Sequence, residues 1–166
     1  WGEPRYLLVM LAAIAQGYVF GLLIEKSRGK RRAGLYLALS VLLSLGTLAY
    51  FKYADFMIRN LNALTGLSVP LLSLALPVGI SFYTFQILSY TVDVYRGTVS
   101  AQRNLIDLAA YIAMFPQLIA GPIVRYSDIA PELRSRTHTL SDAAAGTRRF
   151  VLGLAKKILF ANLLGE

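Results

Sequence analysis

Cysteine is absent from the 166 residues, and histidine occurs once, at His138. The first absence excludes disulfide frameworks, Cys-ligated zinc, iron-sulfur clusters and thiol catalysis, and the second rules out a multi-histidine metal site. Charge is scarce too, at 16% of residues, where about 25% is usual in soluble domains. Residues 60–92 contain no Asp, Glu, Lys or Arg. That stretch outlasts the ~20 residues needed to cross a bilayer. There is also no Gly-rich phosphate loop, no Gly-x-Ser-x-Gly elbow and no His-Glu-x-x-His pair. What fills the chain instead is apolar: 56% of residues are hydrophobic, and the sparse charges leave a net +8. The composition disfavours a soluble enzyme and points to one all-α membrane domain. The chain opens at Trp1 and stops at Glu166, directly after an apolar run at 158–164, and reads as an internal piece of a longer protein.

Residues 6–24 are uncharged, with Gln16 the only strongly polar side chain, and at 1.5 Å per residue they make a first span of ~28 Å. Residues 33–51 make a second, with Ser40, Ser44, Gly46 and Thr47 as small positions suited to close helix packing. The connecting loop carries Lys26, Arg28, Lys30, Arg31 and Arg32 against Glu25, the Lys/Arg excess that keeps short loops in the cytoplasm. Between two spans it reads as a topology signal rather than a nucleic-acid patch. Residues 52–65 then fall outside, and their mixed polarity predicts a short interfacial helix. A third span, 69–94, is predicted to be broken where Pro77 and Gly79 interrupt the helix. Irregular backbone at membrane depth survives only inside protein or beside a watery cavity, so a pore or funnel is expected near that break. Residues 105–124, with Pro116, Gly121 and Pro122 crowded together, fit a re-entrant segment better than a straight span. A capped helix at about 141–164, with one apolar face and flanking lysines, is expected at the cytoplasmic interface.

Two constellations stand out. Tyr83, Gln86, Tyr90 and Asp93 recur at i, i+3, i+7 and i+10, on one side of a helix. Such a stripe either walls a polar cavity or ties helices together, and both readings stay open here. In residues 115–126, Pro116, Gln117, Gly121 and Pro122 break an apolar run just before Arg125. Freed backbone groups there would suit a polar substrate, and Arg125 an anionic headgroup or phosphate, while an ordinary turn is the plainer alternative. His138 lies in a polar stretch without a carboxylate to tune it, and reads as a solvated loop residue rather than a general base.

Residues 76–90, Leu-Pro-Val-Gly-Ile-Ser-Phe-Tyr-Thr-Phe-Gln-Ile-Leu-Ser-Tyr, with Asp93-Val94-Tyr95-Arg96-Gly97, resemble a hallmark of the membrane-bound O-acyltransferase family. Phe115-Pro116-Gln117-Leu118-Ile119-Ala120-Gly121-Pro122-Ile123 resembles its second marker and Gly153-Leu154-Ala155-Lys156-Lys157 a third, with wording closest to the bacterial alginate O-acetylation branch. The resemblance implies a multi-pass protein of the bacterial inner membrane whose helices surround a funnel, this chain forming an amino-terminal or middle part of its wall. An acyl group would pass from a cytoplasmic donor, acetyl-CoA or another acyl thioester, toward an exported polysaccharide, with periplasmic O-acetylation proteins as partners and no bound cofactor. The family's catalytic histidine lies on a later helix that no position here matches. The chain alone is therefore expected to be inactive, with Tyr83, Gln86, Tyr90, Asp93, Pro116, Gln117, Gly121, Pro122 and Arg125 as substrate-path residues. A piece of a transporter or structural membrane module is the alternative, since broken helices serve transporters too.

Overall fold

A computed structural model describes residues 4–114, 124–134 and 139–161. Every regular element among them is helical. The chain divides into a larger unit ending at Pro131 and a smaller one beginning at Glu132.

Helix α1 (Pro4–Lys26) begins on a proline, whose missing amide costs nothing in a first turn. It is followed by α2 (Arg31–Thr65) after a turn that Gly29 closes at φ 79°. Both are long and apolar enough to cross a membrane. The short helix expected at 52–65 is not separate: α2 runs unbroken for 35 residues. Lys52, Asp55 and Arg59 are ordinary helix residues, and nothing in 52–65 is a glycine or proline that would end it. Gly66, left-handed at φ 70°, stops the helix and donates its amide to the Asn62 carbonyl.

Residues 66–79 carry no helix, so the apolar stretch 69–94 is helical only in α3 (Ile80–Arg96). Pro77 and Gly79 precede this helix instead of interrupting it. Pro70 and Pro77 deny the segment two amide donors, and side chains of α2 meet other backbone groups. Asp55 accepts from the amides of Leu72 (2.7 Å) and Ser73 (3.0 Å), and Asn62 both donates to and accepts from Val69, at 2.8 and 3.0 Å. Gly97, at φ 81°, ends α3, its amide reaching the carbonyls of Asp93 and Val94.

Helix α4 (Leu105–Ala113) is capped by Asn104, whose side chain accepts from the Ile106 amide. The expected re-entrant segment continues into 115–123, which lies outside the described residues, as does His138. Helix α5 (Tyr126–Arg134) follows. In the larger unit α1, α2 and α3 pack on one another, and α4 packs on α1 and α3. Gly17 and Gly21 let α3 approach α1: a Cβ at Gly17 would stand 3.0 Å from Ile87 Cγ2, and one at Gly21 would stand 2.6 Å from the Tyr90 hydroxyl.

The smaller unit contains α6 (Leu140–Lys156), continued by a π-helical turn at Lys157–Ala161. Thr139 caps α6 by accepting from the Asp142 amide, as the Thr139-Leu140-Ser141-Asp142 pattern predicts.

Candidate functional site

The stripe Tyr83, Gln86, Tyr90, Asp93 occupies one face of α3, and the bundle closes over most of it. Tyr83 and Gln86 are each 1% exposed and Tyr90 is fully buried, while Asp93 is half-buried. Among the described residues, Tyr83 is the one of the four that lines a cleft of about 290 Å³ between α1, α2 and α3, together with Gln16, Ser44, Thr47 and Phe51. Inside that junction Gln16 donates to the Ser40 carbonyl at 3.1 Å and to Ser44 Oγ at 2.9 Å, so the small polar residues of α2 do join helices. The Tyr83 hydroxyl and Asp93 Oδ2 are buried without a hydrogen-bond partner among the described residues. Orphaned polar atoms of this kind are costly, and one sits near each end of the stripe.

Tyr90 belongs to a different structure, a cluster of three tyrosines around Gln102. Its hydroxyl accepts from the Gln102 amide at 2.9 Å, and its ring meets that of Tyr126 edge to face at 5.0 Å. Tyr111 of α4 meets Tyr126 from another side at 5.3 Å, and its hydroxyl donates to the Val124 carbonyl at 2.7 Å. Gln102 Nε2 donates to the Tyr126 hydroxyl at 2.9 Å, and Gln102 Oε1 accepts the amides of Arg103 and Asn104. Each ring is nearly or fully buried, so edge-to-face pairing and the shared glutamine fix the segment after α4 against α3.

Arg125, between Val124 and Tyr126, is exposed. Pro116, Gln117, Gly121 and Pro122 lie outside the described residues. The basic hairpin loop has a second role that charge counting does not reveal: Arg28 donates to the carbonyls of Val94 and Val99, and Glu25 accepts from the Ala101 amide and pairs with Arg103. Sequence reasoning missed Gln102, Tyr111 and Tyr126. No local pattern marks them, since their meeting depends on the turn of the chain between α3 and α5. Among the described residues no group of three or more His, Cys, Asp or Glu side chains could hold a metal ion.

No protein-family model and no solved structure matches this chain. Among curated proteins, it is 41% identical over 169 residues to a Pseudomonas aeruginosa protein named probable alginate O-acetylase AlgI, an alignment covering 99% of this chain and 32% of that protein. A Pseudomonas syringae protein of the same name is 40% identical, with 99% and 33% covered. A Helicobacter pylori peptidoglycan O-acetyltransferase is 28% identical over 185 residues, covering 95% of this chain and 35% of that protein. The chain thus spans about a third of the length of these relatives. Similarity sustained along almost every residue, on top of the three marker motifs, makes this chain similar to about a third of the alginate O-acetylases and, more distantly, of a peptidoglycan O-acetyltransferase.

Proposed function

We propose that this chain is part of a multi-pass O-acyltransferase of the bacterial inner membrane, which moves an acetyl group from a cytoplasmic donor to hydroxyls of an exported polysaccharide, alginate in the first instance. The observation that carries the reading is the 41% identity to an AlgI protein across 99% of the chain. The donor is acetyl-CoA or another acyl thioester, and periplasmic O-acetylation proteins receive or guide the product. Acyl transfer needs a base for the acceptor hydroxyl and donors for the developing oxyanion. A base supplied elsewhere in the full-length protein leaves this chain the tasks of binding and orientation.

In this reading α1 and α2 span the membrane, α3 completes a third crossing that its non-helical approach at 66–79 breaks, and residues 105–124 re-enter the bilayer. The stripe Tyr83, Gln86, Tyr90 and Asp93 borders the substrate path together with Pro116, Gln117, Gly121, Pro122 and Arg125. The unmet hydrogen-bonding capacity of Tyr83 and Asp93 supports it, because atoms left orphaned within the described residues are free to serve other groups. Replacing Gln86 by leucine, in the full-length protein, is expected to lower acetyl transfer per folded molecule by about tenfold, the equivalent of ~1.4 kcal/mol. An inter-helix hydrogen bond worth ~0.6 kcal/mol would cost less than about threefold. Polymer acetylation measured beside the amount of membrane-inserted protein separates the two, and unchanged acetylation per molecule would remove the stripe from the path.

The topology has its own test. With no native cysteine in the chain, Ser27→Cys offers a single label site in the basic loop. The cysteine is expected to resist an impermeant maleimide added outside intact cells and to react once the membrane is opened. Labelling from outside would invert the arrangement.

A further inference from the structure

The backbone on both sides of Arg125 is held by groups that do not belong to its own helix. Before it, the Val124 carbonyl accepts the Tyr111 hydroxyl at 2.7 Å. After it, the Tyr126 ring is 3% exposed, wedged against Tyr90 and Tyr111, with its hydroxyl bonded to Gln102 Nε2. The Arg125 carbonyl itself accepts the Asp128 amide at 3.1 Å. Between these anchors the side chain is exposed, and among the described residues no carboxylate pairs with it. A long cation on a flexible backbone loses entropy on binding, whereas one whose backbone is already fixed loses less. Burying three tyrosine rings and a glutamine to fix the residues flanking one exposed arginine is more ordering than a surface turn requires.

We propose that Tyr111 is a positioning residue that acts through Arg125, and that the Arg125 guanidinium it steadies takes a phosphate group. Guanidinium offers a planar fork of donors that matches phosphate oxygens, and the exposed Arg125, with no carboxylate partner among the described residues, can present that fork. The inference rests on the acyl-transfer reading above. Phosphate can reach this surface from two sources, the phosphate-bearing carrier of the acyl thioester or the headgroup of a membrane lipid, and the two differ in what they make the reaction depend on.

The test uses the full-length protein in vesicles with acetyl-CoA as the probe. Arg125→Ala and Tyr111→Phe are each expected to raise the KM for acetyl-CoA by about tenfold and to leave kcat within about twofold. The double variant should be no worse than Arg125→Ala, because the hydroxyl has nothing left to steady. If lipid supplies the phosphate, KM stays put, and the rate instead depends on the fraction of anionic phospholipid, a dependence that both single variants lose. Either pattern supports the proposal and identifies the source. A purely structural role for Tyr111 would lower kcat and folded protein with KM unmoved, or make the two substitutions multiply, and either result overturns it. Wild-type behaviour of Arg125→Ala in both assays overturns the phosphate role, while acetyl transfer by the unaltered protein still stands or falls by its own turnover.

Discussion

Gly21→Ala is expected to cost the full-length protein much of its folded population, although it adds one methyl group. The new Cβ would lie 2.6 Å from the Tyr90 hydroxyl oxygen and 2.9 and 3.0 Å from two ring carbons. Tyr90 has no room to withdraw: it is fully buried, its hydroxyl accepts the Gln102 amide, and its ring edge packs on Tyr126. Overpacking of a tight interior typically costs about 1–3 kcal/mol, and here relief requires giving up the Gln102 contact as well. Gly17→Ala should cost less, because the 3.0 Å neighbour is a single methyl of Ile87. Gly46→Ala is the control. Nothing stands within 4 Å of its Cβ, and removing a helix glycine should be neutral or gain up to ~1 kcal/mol. Thermal unfolding in detergent ranks the three, and Tyr90→Phe in the Gly21→Ala background should recover part of the loss by deleting the nearest atom. Equal stability of Gly21→Ala and Gly46→Ala would show that α1 and α3 do not meet in this way.

Gln102→Leu is expected to be the second large effect. The glutamine is 3% exposed, and its two side-chain ends do different work: the oxygen accepts the amides of Arg103 and Asn104, and the nitrogen donates to Tyr126 and, at 3.5 Å, to Asp107. Leucine keeps the volume and satisfies none of them. Each buried group left unsatisfied costs about 1–3 kcal/mol, so a total of ~3 kcal/mol is reasonable. Gln102→Glu separates the ends, because it retains an acceptor for the two amides and removes the donor. It should fall between the wild-type protein and Gln102→Leu in thermal unfolding. A Gln102→Leu protein as stable as wild type would mean that the tyrosine cluster holds without its central residue.

How far the sequence is legible depends on whether the deciding interaction is local. The spans at 6–24 and 33–51 follow from composition alone, and α1 and α2 contain both. The cap at Thr139 is equally local and forms as its spacing predicts. The continuous α2 was hidden because Lys52 looks like the end of a membrane segment, whereas charge ends a hydrophobic run without ending a helix. The missing helix at 66–79 was hidden because its backbone partners, Asp55 and Asn62, lie on another element. For the site, periodicity grouped Tyr83, Gln86, Tyr90 and Asp93 on one face, but it could not tell that Tyr83 borders a cleft while Tyr90 joins a cluster of rings. The Gly17-x-x-x-Gly21 spacing was a readable signal of close helix approach, one that hydropathy alone passes over.

The unbroken length of α2 fixes heights along the membrane normal. Its 35 residues measure ~52 Å, and the apolar part, 33–51, accounts for ~28 Å of that, about one hydrocarbon thickness. If that part lies within the bilayer, the remaining 14 residues stand out from it as a post of up to ~21 Å. Asn62 grips Val69 high on the post, and Asp55 grips Leu72 and Ser73 about six ångströms above its base. The descending segment is thus metered against the rising helix. From Ser73 to Ile80 the chain has seven residues, the last of them folded into a turn in which the Ile80 amide donates to the Pro77 carbonyl at 3.2 Å, to cover the roughly six ångströms back to the waterline. On that condition Pro77 and Gly79 would stand at the rim, and the 17 residues of α3, ~26 Å of helix, would be left to make the descent.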